Sequence, residues 1–116
     1  MRVGKTRNAP KRVLDEKTTQ LAVCKYLRSM GVMFWRSNNM PTYDPKLGMY
    51  RAMGEFSVKG VPDIICIGEG GIFIGLEIKG TRGVVSADQI LFKKRCERLG
   101  AQYHIIRDVE EVKRLF

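Results

Sequence analysis

The chain of 116 residues is long enough for one compact domain and too short for two. Its hydrophobic content of 44% supplies one buried core, and its formal net charge of +9 with a pI near 9.8 points to a polyanionic partner, nucleic acid ahead of an anionic membrane surface. No apolar run approaches the roughly 20 residues of a membrane-spanning helix, no apolar segment follows the basic start as in a secretory signal, and three scattered cysteines with one histidine argue against a zinc site.

Residues 1–12 carry Arg2, Lys5, Arg7, Lys11 and Arg12 with no acid, and they read equally as a flexible phosphate-contacting arm or a solubilising tail ahead of one domain over 13–116. A helix is predicted over 15–30, where Leu21, Cys24, Leu27 and Met30 recur at helical spacing, widened by Val23 and Tyr26. Asp15 is its N-cap and Gly31 its stop. Residues 32–37 form a strand, and a long polar segment from Asn38 to Gly60 reads as an irregular loop of the functional or mobile kind. Strands at 64–67 and 72–79 flank Gly68-Glu69-Gly70-Gly71, a strong hairpin signal. A loop over 80–85 leads to a helix over 86–99, opened by a Ser86/Gln89 capping box and ended by Gly100. A short strand over 102–106 follows, and Asp108 with Glu111 opens a last helix. The order is α-β-β-β-α-β-α, an α/β domain. Each cysteine sits in an apolar segment and reads as a small core hydrophobe in a reducing, cytoplasmic setting.

Chemistry concentrates between Lys59 and Lys79. With the hairpin turn centred near Gly70, cross-strand partners have numbers summing to about 140, which sets Asp63 opposite Glu77. Two carboxylates that close repel unless a proton or a cation lies between them. Mg²⁺ or Mn²⁺ suits an all-oxygen donor set. Alternation along the second strand sends Ile72, Ile74, Leu76 and Ile78 to the core and Glu77 and Lys79 to the other face. Bound metal lowers the pKa of water and polarises a phosphoryl oxygen, and a neighbouring lysine orients that water or offsets charge at phosphorus. On residues alone the alternative stays open that these are ordinary solvated groups at strand ends.

Pro62-Asp63 with Glu77-Ile78-Lys79 resembles the PD-(D/E)xK nuclease signature. With Glu16 and Gln20 on the first helix, Gly60-Val61-Pro62-Asp63, and Ser86 with Gln89 downstream, residues 14–108 look like a stand-alone virus-type replication-repair nuclease (VRR-NUC) domain. The resemblance implies a restriction-endonuclease-like core, a mixed sheet flanked by helices. It implies Asp63, Glu77 and the backbone carbonyl of Ile78 as metal ligands, Lys79 as the catalytic lysine, and Glu16 completing the acidic cluster directly or through water. Gln20 would orient Glu16 or a phosphate, and Gln89 would contact the site from the second helix. Stand-alone members are similar to Holliday-junction resolvases, homodimers acting on branched DNA, so the resemblance implies a DNA-repair nuclease and admits a virus-encoded origin, as in phage.

Lys59, Arg36, Asn38 and Arg51 border the expected cleft and are candidate phosphate contacts, each with an ordinary solvated role as the alternative. Ser86 reads first as a helix cap and second as a substrate contact. Trp35 and the tyrosines are candidates to stack on unpaired bases, although a tryptophan in a strand more often belongs to a core. Val109, Val112, Leu115 and Phe116 would either join a dimer interface or cap the core. The expected function is a metal-dependent endonuclease on branched DNA. A non-catalytic nucleic-acid-binding module and an RNA-directed nuclease are the alternatives, and the intact Asp63, Glu77 and Lys79 disfavour the first.

Overall fold

A computed structural model describes residues 13–37, 43–50 and 54–116. The expected basic arm over 1–12, Asn38 and Arg51 lie outside the described residues. In chain order the elements are α1 (Glu16–Ser29), β1 (Met33–Arg36), β2 (Tyr43–Asp44), β3 (Met49–Tyr50), β4 (Ile64–Ile67), β5 (Phe73–Ile78), α2 (Ala87–Arg98), β6 (Gln102–Ile106) and α3 (Val109–Lys113). The main sheet is ordered β1-β4-β5-β6, antiparallel up to β5 and parallel from β5 to β6, with α2 as the crossover. The chain is therefore a mixed α/β domain with flanking helices. Among the described residues no helix is long and apolar enough to cross a membrane.

Local chemistry accounts for the element boundaries. The Asp15 carboxylate accepts from Thr18 N–H at 2.6 Å and caps α1, while Gly31, at φ +70°, turns the chain out of it. Both capping boxes form, Ser86 with Gln89 on α2 and Asp108 with Glu111 on α3. The loop expected over 38–60 contains one element the patterning did not suggest, the two-stranded β2–β3 sheet. Its turn is closed by Asp44: the side chain accepts from Lys46 N–H, and the carbonyl accepts from Leu47 and Gly48 N–H.

The core lies between one face of the sheet and the pair α1 and α3. Ile64, Cys66, Leu76 and Ile78 are fully buried there, Ile74 and Ile106 nearly so, against Val23, Leu27 and Val112. The expected stripe of α1 is corrected. Thr19, Val23 and Leu27 are its buried residues, with Cys24 and Tyr26 packed alongside, whereas Leu21 and Met30 are exposed. At 100° per residue, Leu21 stands nearly opposite Val23, so apolar identity misled where angular phase decided. Ile72, expected in the core, precedes β5 and is partly exposed. Cys66 and Cys96 are buried and Cys24 is half-buried, all as free thiols. Val109, Leu115 and Phe116 pack against the core that contains Val112, so the C-terminal apolar residues cap it.

The opposite face of the sheet is only partly covered. Helix α2 packs on β6, with the Phe92 and Tyr103 rings 5.6 Å apart. Over β1 the face stays open, with Met33 and Trp35 at 66% and 44% exposure.

Candidate active site

The register of the central hairpin follows the glycine turn. Ile64 pairs with Leu76 and Ile65 with Gly75, so continuing the ladder by one residue sets Asp63 against Glu77, as the sequence predicts. Regular pairing ends there and a side chain takes over the next bond: Asp63 Oδ2 accepts from Ile78 N–H at 2.8 Å. On its other side, Asp63 accepts through its carbonyl from Ser37 N–H at 2.8 Å, continuing the β1–β4 ladder. Lys79 N–H donates to Ile106 on the β6 side. In an extended strand the N–H and C=O of one residue point to the same edge, so the Ile78 carbonyl opens toward Asp63 and away from β6.

Glu77 is 4% exposed and projects from the α2 side of the sheet. Its Oε2 accepts from Gln89 Nε2 at 2.7 Å, and Lys79 Nζ lies 3.8 Å from the same oxygen. Gln89 has a second task, since its Oε1 accepts from Ser86 N–H at 2.9 Å to close the capping box. One side chain thus fixes both the start of α2 and the orientation of Glu77, so the two roles predicted for Gln89 coexist.

Burial pushes the Glu77 carboxyl up to about 8, and the charge of Asp63, within hydrogen-bonding reach of it, pushes the same way against the pull of Lys79. Glu16 adds the smallest of these influences, also upward. The buried acid therefore holds a proton at neutral pH unless another cation takes its place. Tyr103 is 1% exposed, and its phenol is raised first by burial and then by the negative charges of Glu77 and Asp63.

Close approaches permitted by glycines bring the surrounding loops in. A Cβ on Gly60, which has φ +85°, would sit 2.3 Å from the Asp88 carbonyl oxygen, so only glycine lets the loop before Asp63 lie against the first turn of α2. Tyr103 Oη donates to the Gly60 carbonyl at 3.0 Å and holds that loop from below. Pro62 lies over Gly75, where a Cβ would meet its ring at 2.6 Å. Beyond Lys79, Arg107 Nη1 donates to the Gly80 and Gly83 carbonyls at 2.8 Å each. Thr81 and Leu14 exchange two hydrogen bonds that tie this loop to the start of α1.

The structure brings most of the predicted residues together. A cavity of about 260 Å³ is lined by Lys59, Gly60, Asp63, Glu77, Ser86 and Gln89, joined by Asp88. Glu16 is exposed at the first turn of α1 and Gln20 is half-buried one turn on; among the described residues neither hydrogen-bonds to Asp63, Glu77 or Lys79. Arg36 pairs with Ile64 on the core-side face, and its charge is felt by Cys24 on α1, so its register directs it away from the cavity. Three contributors carry no sequence motif. Tyr103 and Arg107 act through contacts distant in sequence, and Asp88 reads as a first-turn acid complementing a helix dipole.

The donor set suits a hard divalent cation. Asp63 Oδ2 and Glu77 Oε2 each accept from a protein donor, the two carboxyls lie within hydrogen-bonding reach of each other, and strand geometry turns the Ile78 carbonyl to the same side. Among the described residues no third His, Cys, Asp or Glu joins them to make a three-side-chain cluster. Two carboxylates and one carbonyl would leave several positions to water, as Mg²⁺ prefers. Compared with family models, curated proteins and solved structures, the chain matches none, so what can be said of its function rests on its own residues.

Proposed function

We propose that this chain is a Mg²⁺- or Mn²⁺-dependent endonuclease that hydrolyses phosphodiester bonds in DNA, on a restriction-endonuclease-like core of the VRR-NUC type. One observation carries the proposal: a buried carboxyl, Glu77, lies against Asp63 and beside Lys79, oriented by a hydrogen bond from Gln89. Burying one carboxyl against another raises the cost of charging both, and a cation between them removes that cost. The net charge of +9 supplies attraction to the phosphate backbone.

Asp63, Glu77 and the Ile78 carbonyl would hold the cation, with Glu16 reaching it through water. When bound, the cation polarises the phosphoryl group and acidifies water. With the cation held, Glu77 would release its proton to solvent, and Gln89 would keep the charged carboxylate oriented. Lys79 stands by Glu77 to position water and to offset charge developing at phosphorus. Lys59 and Ser86, on the cavity wall, meet the flanking phosphate. Branched DNA such as a four-way junction is the proposed substrate and a homodimer the acting form, since two equivalent sites suit two equivalent strands.

The test is a substrate panel of duplex, flap, splayed arm, four-way junction and RNA, with Mg²⁺, Mn²⁺ or Ca²⁺. Asp63→Ala is expected to abolish cutting while junction binding is kept or tightened, since a negative charge is removed. Wild-type cutting rates in that variant would overturn the assignment.

A further inference from the structure

We infer that Trp35 is a stacking platform for an unpaired base next to the cleaved phosphate, so that the substrate must present an unstacked nucleotide at the site. This rests on the nuclease reading above. The first observation is exposure: Trp35 is 44% exposed in a sheet whose opposite face is sealed. Its neighbour Phe34 packs on the core cluster, so alternation turns Trp35 to the face that carries Glu77.

The second observation is register. Trp35 pairs with Ile65, and the ladder continues to Ser37 and Asp63 through the 2.8 Å bond between them. Trp35 and Asp63 are therefore diagonal neighbours on one face, roughly 7–8 Å apart and within reach of an aromatic side chain. That separation is on the scale of one nucleotide. Met33 extends the apolar strip along β1, at 66% exposure, whereas α2 packs on β6 at the far side of the sheet. A polyanion drawn by the net charge of +9, with its phosphate at the acidic pair, has an exposed indole beside it. Base–aromatic stacking of this kind tolerates any sequence but requires the base to leave its duplex stack.

Trp35 is the chain's only tryptophan, so its fluorescence reports the contact directly. The experiment titrates the full chain, in EDTA to prevent cutting, with an oligothymidylate and with a blunt linear duplex of equal nucleotide count. The unpaired oligonucleotide is expected to quench Trp35 strongly and the duplex weakly. By anisotropy of labelled DNA, Trp35→Ala should weaken single-strand binding about 5- to 150-fold, with duplex binding within about two-fold, and Trp35→Phe should retain most of the affinity. An unchanged melting temperature in Trp35→Ala would confirm that folding is intact. Equal quenching by both DNAs, or equal loss on both in Trp35→Ala, would overturn the inference. Quenching by unpaired bases without metal-dependent cutting of any substrate would keep base stacking on Trp35 and sink the nuclease reading; cutting without such quenching would do the reverse.

Discussion

The two faces of the main sheet divide the labour of the molecule. On the α1 side, β4 and β5 present Ile64, Cys66, Ile74, Leu76 and Ile78 to an apolar core with Val23, Leu27 and Val112. On the α2 side the intervening residues are Ile65, Ile67, Phe73 and Gly75 toward the glycine turn and Asp63, Glu77 and Lys79 at the other end, with Gly60 and Pro62 where loops must come close. Because a strand alternates with period two, six residues of β5 supply both faces, and neighbours in sequence answer to different selection by physics. Stability and chemistry should therefore respond separately to substitutions one residue apart.

The widest separation is expected between Leu76 within β5 and Lys79 just beyond it. Leu76→Ala should lower unfolding stability by about 2–5 kcal/mol, read from the urea midpoint, while the molecules that stay folded keep their cutting rate. Lys79→Ala should do the opposite, lowering kcat by about 10²–10³-fold with little change in the urea midpoint. A large stability loss from Lys79→Ala would erase the distinction between the faces.

Glu77 sharpens the comparison through pH, being the one acid buried within the sheet's working face. Its carboxyl is raised from 4.5 to about 8, chiefly by burial. In metal-free protein the folded state then holds a proton that the unfolded chain has released. Its contribution to stability is full below about 4.5 and is lost as pH rises through about 8. Thermal melts in EDTA should show this decline, Glu77→Gln should flatten it, and Mg²⁺ should oppose it by favouring the charged carboxylate. A wild-type profile matching that of Glu77→Gln would contradict the buried, protonated acid.

The smallest effect belongs to the edge of the working face. Ser86→Ala removes one cap bond on α2, and about 1 kcal/mol of stability should go with it. Because Gln89 still reaches Glu77, cleavage should fall less than in Gln89→Leu; comparing the two rates checks which half of the shared side chain matters to the site.

Much of this was legible in the sequence wherever the controlling interactions are local. Capping residues, the glycine turn and the pairing of Asp63 with Glu77 all depend on neighbours within a few residues or on the symmetry of one hairpin. What was not legible depends on angular phase or on distant contacts. Leu21 and Val23 are equally apolar, and only the docking of α1 shows which is inside. Trp35 could be core or surface until the extent of α2 over the sheet was known. Tyr103 gave no signal, since its partner Gly60 lies 43 positions away. The β2–β3 sheet hid in a segment rich in turn residues, where each strand is only two residues long.

The hydrogen bonds that orient the acidic pair have a consequence for how the molecule folds. Asp63 reaches Ile78 across 15 positions and Gln89 reaches Glu77 across 12. Both loops are short, so closing them costs little chain entropy, and contacts of low sequence separation form early. Hairpin and helix start can assemble as one local unit before the chain ends are recruited, which would make this stretch among the last parts of the native protein to open and exchange its amide protons.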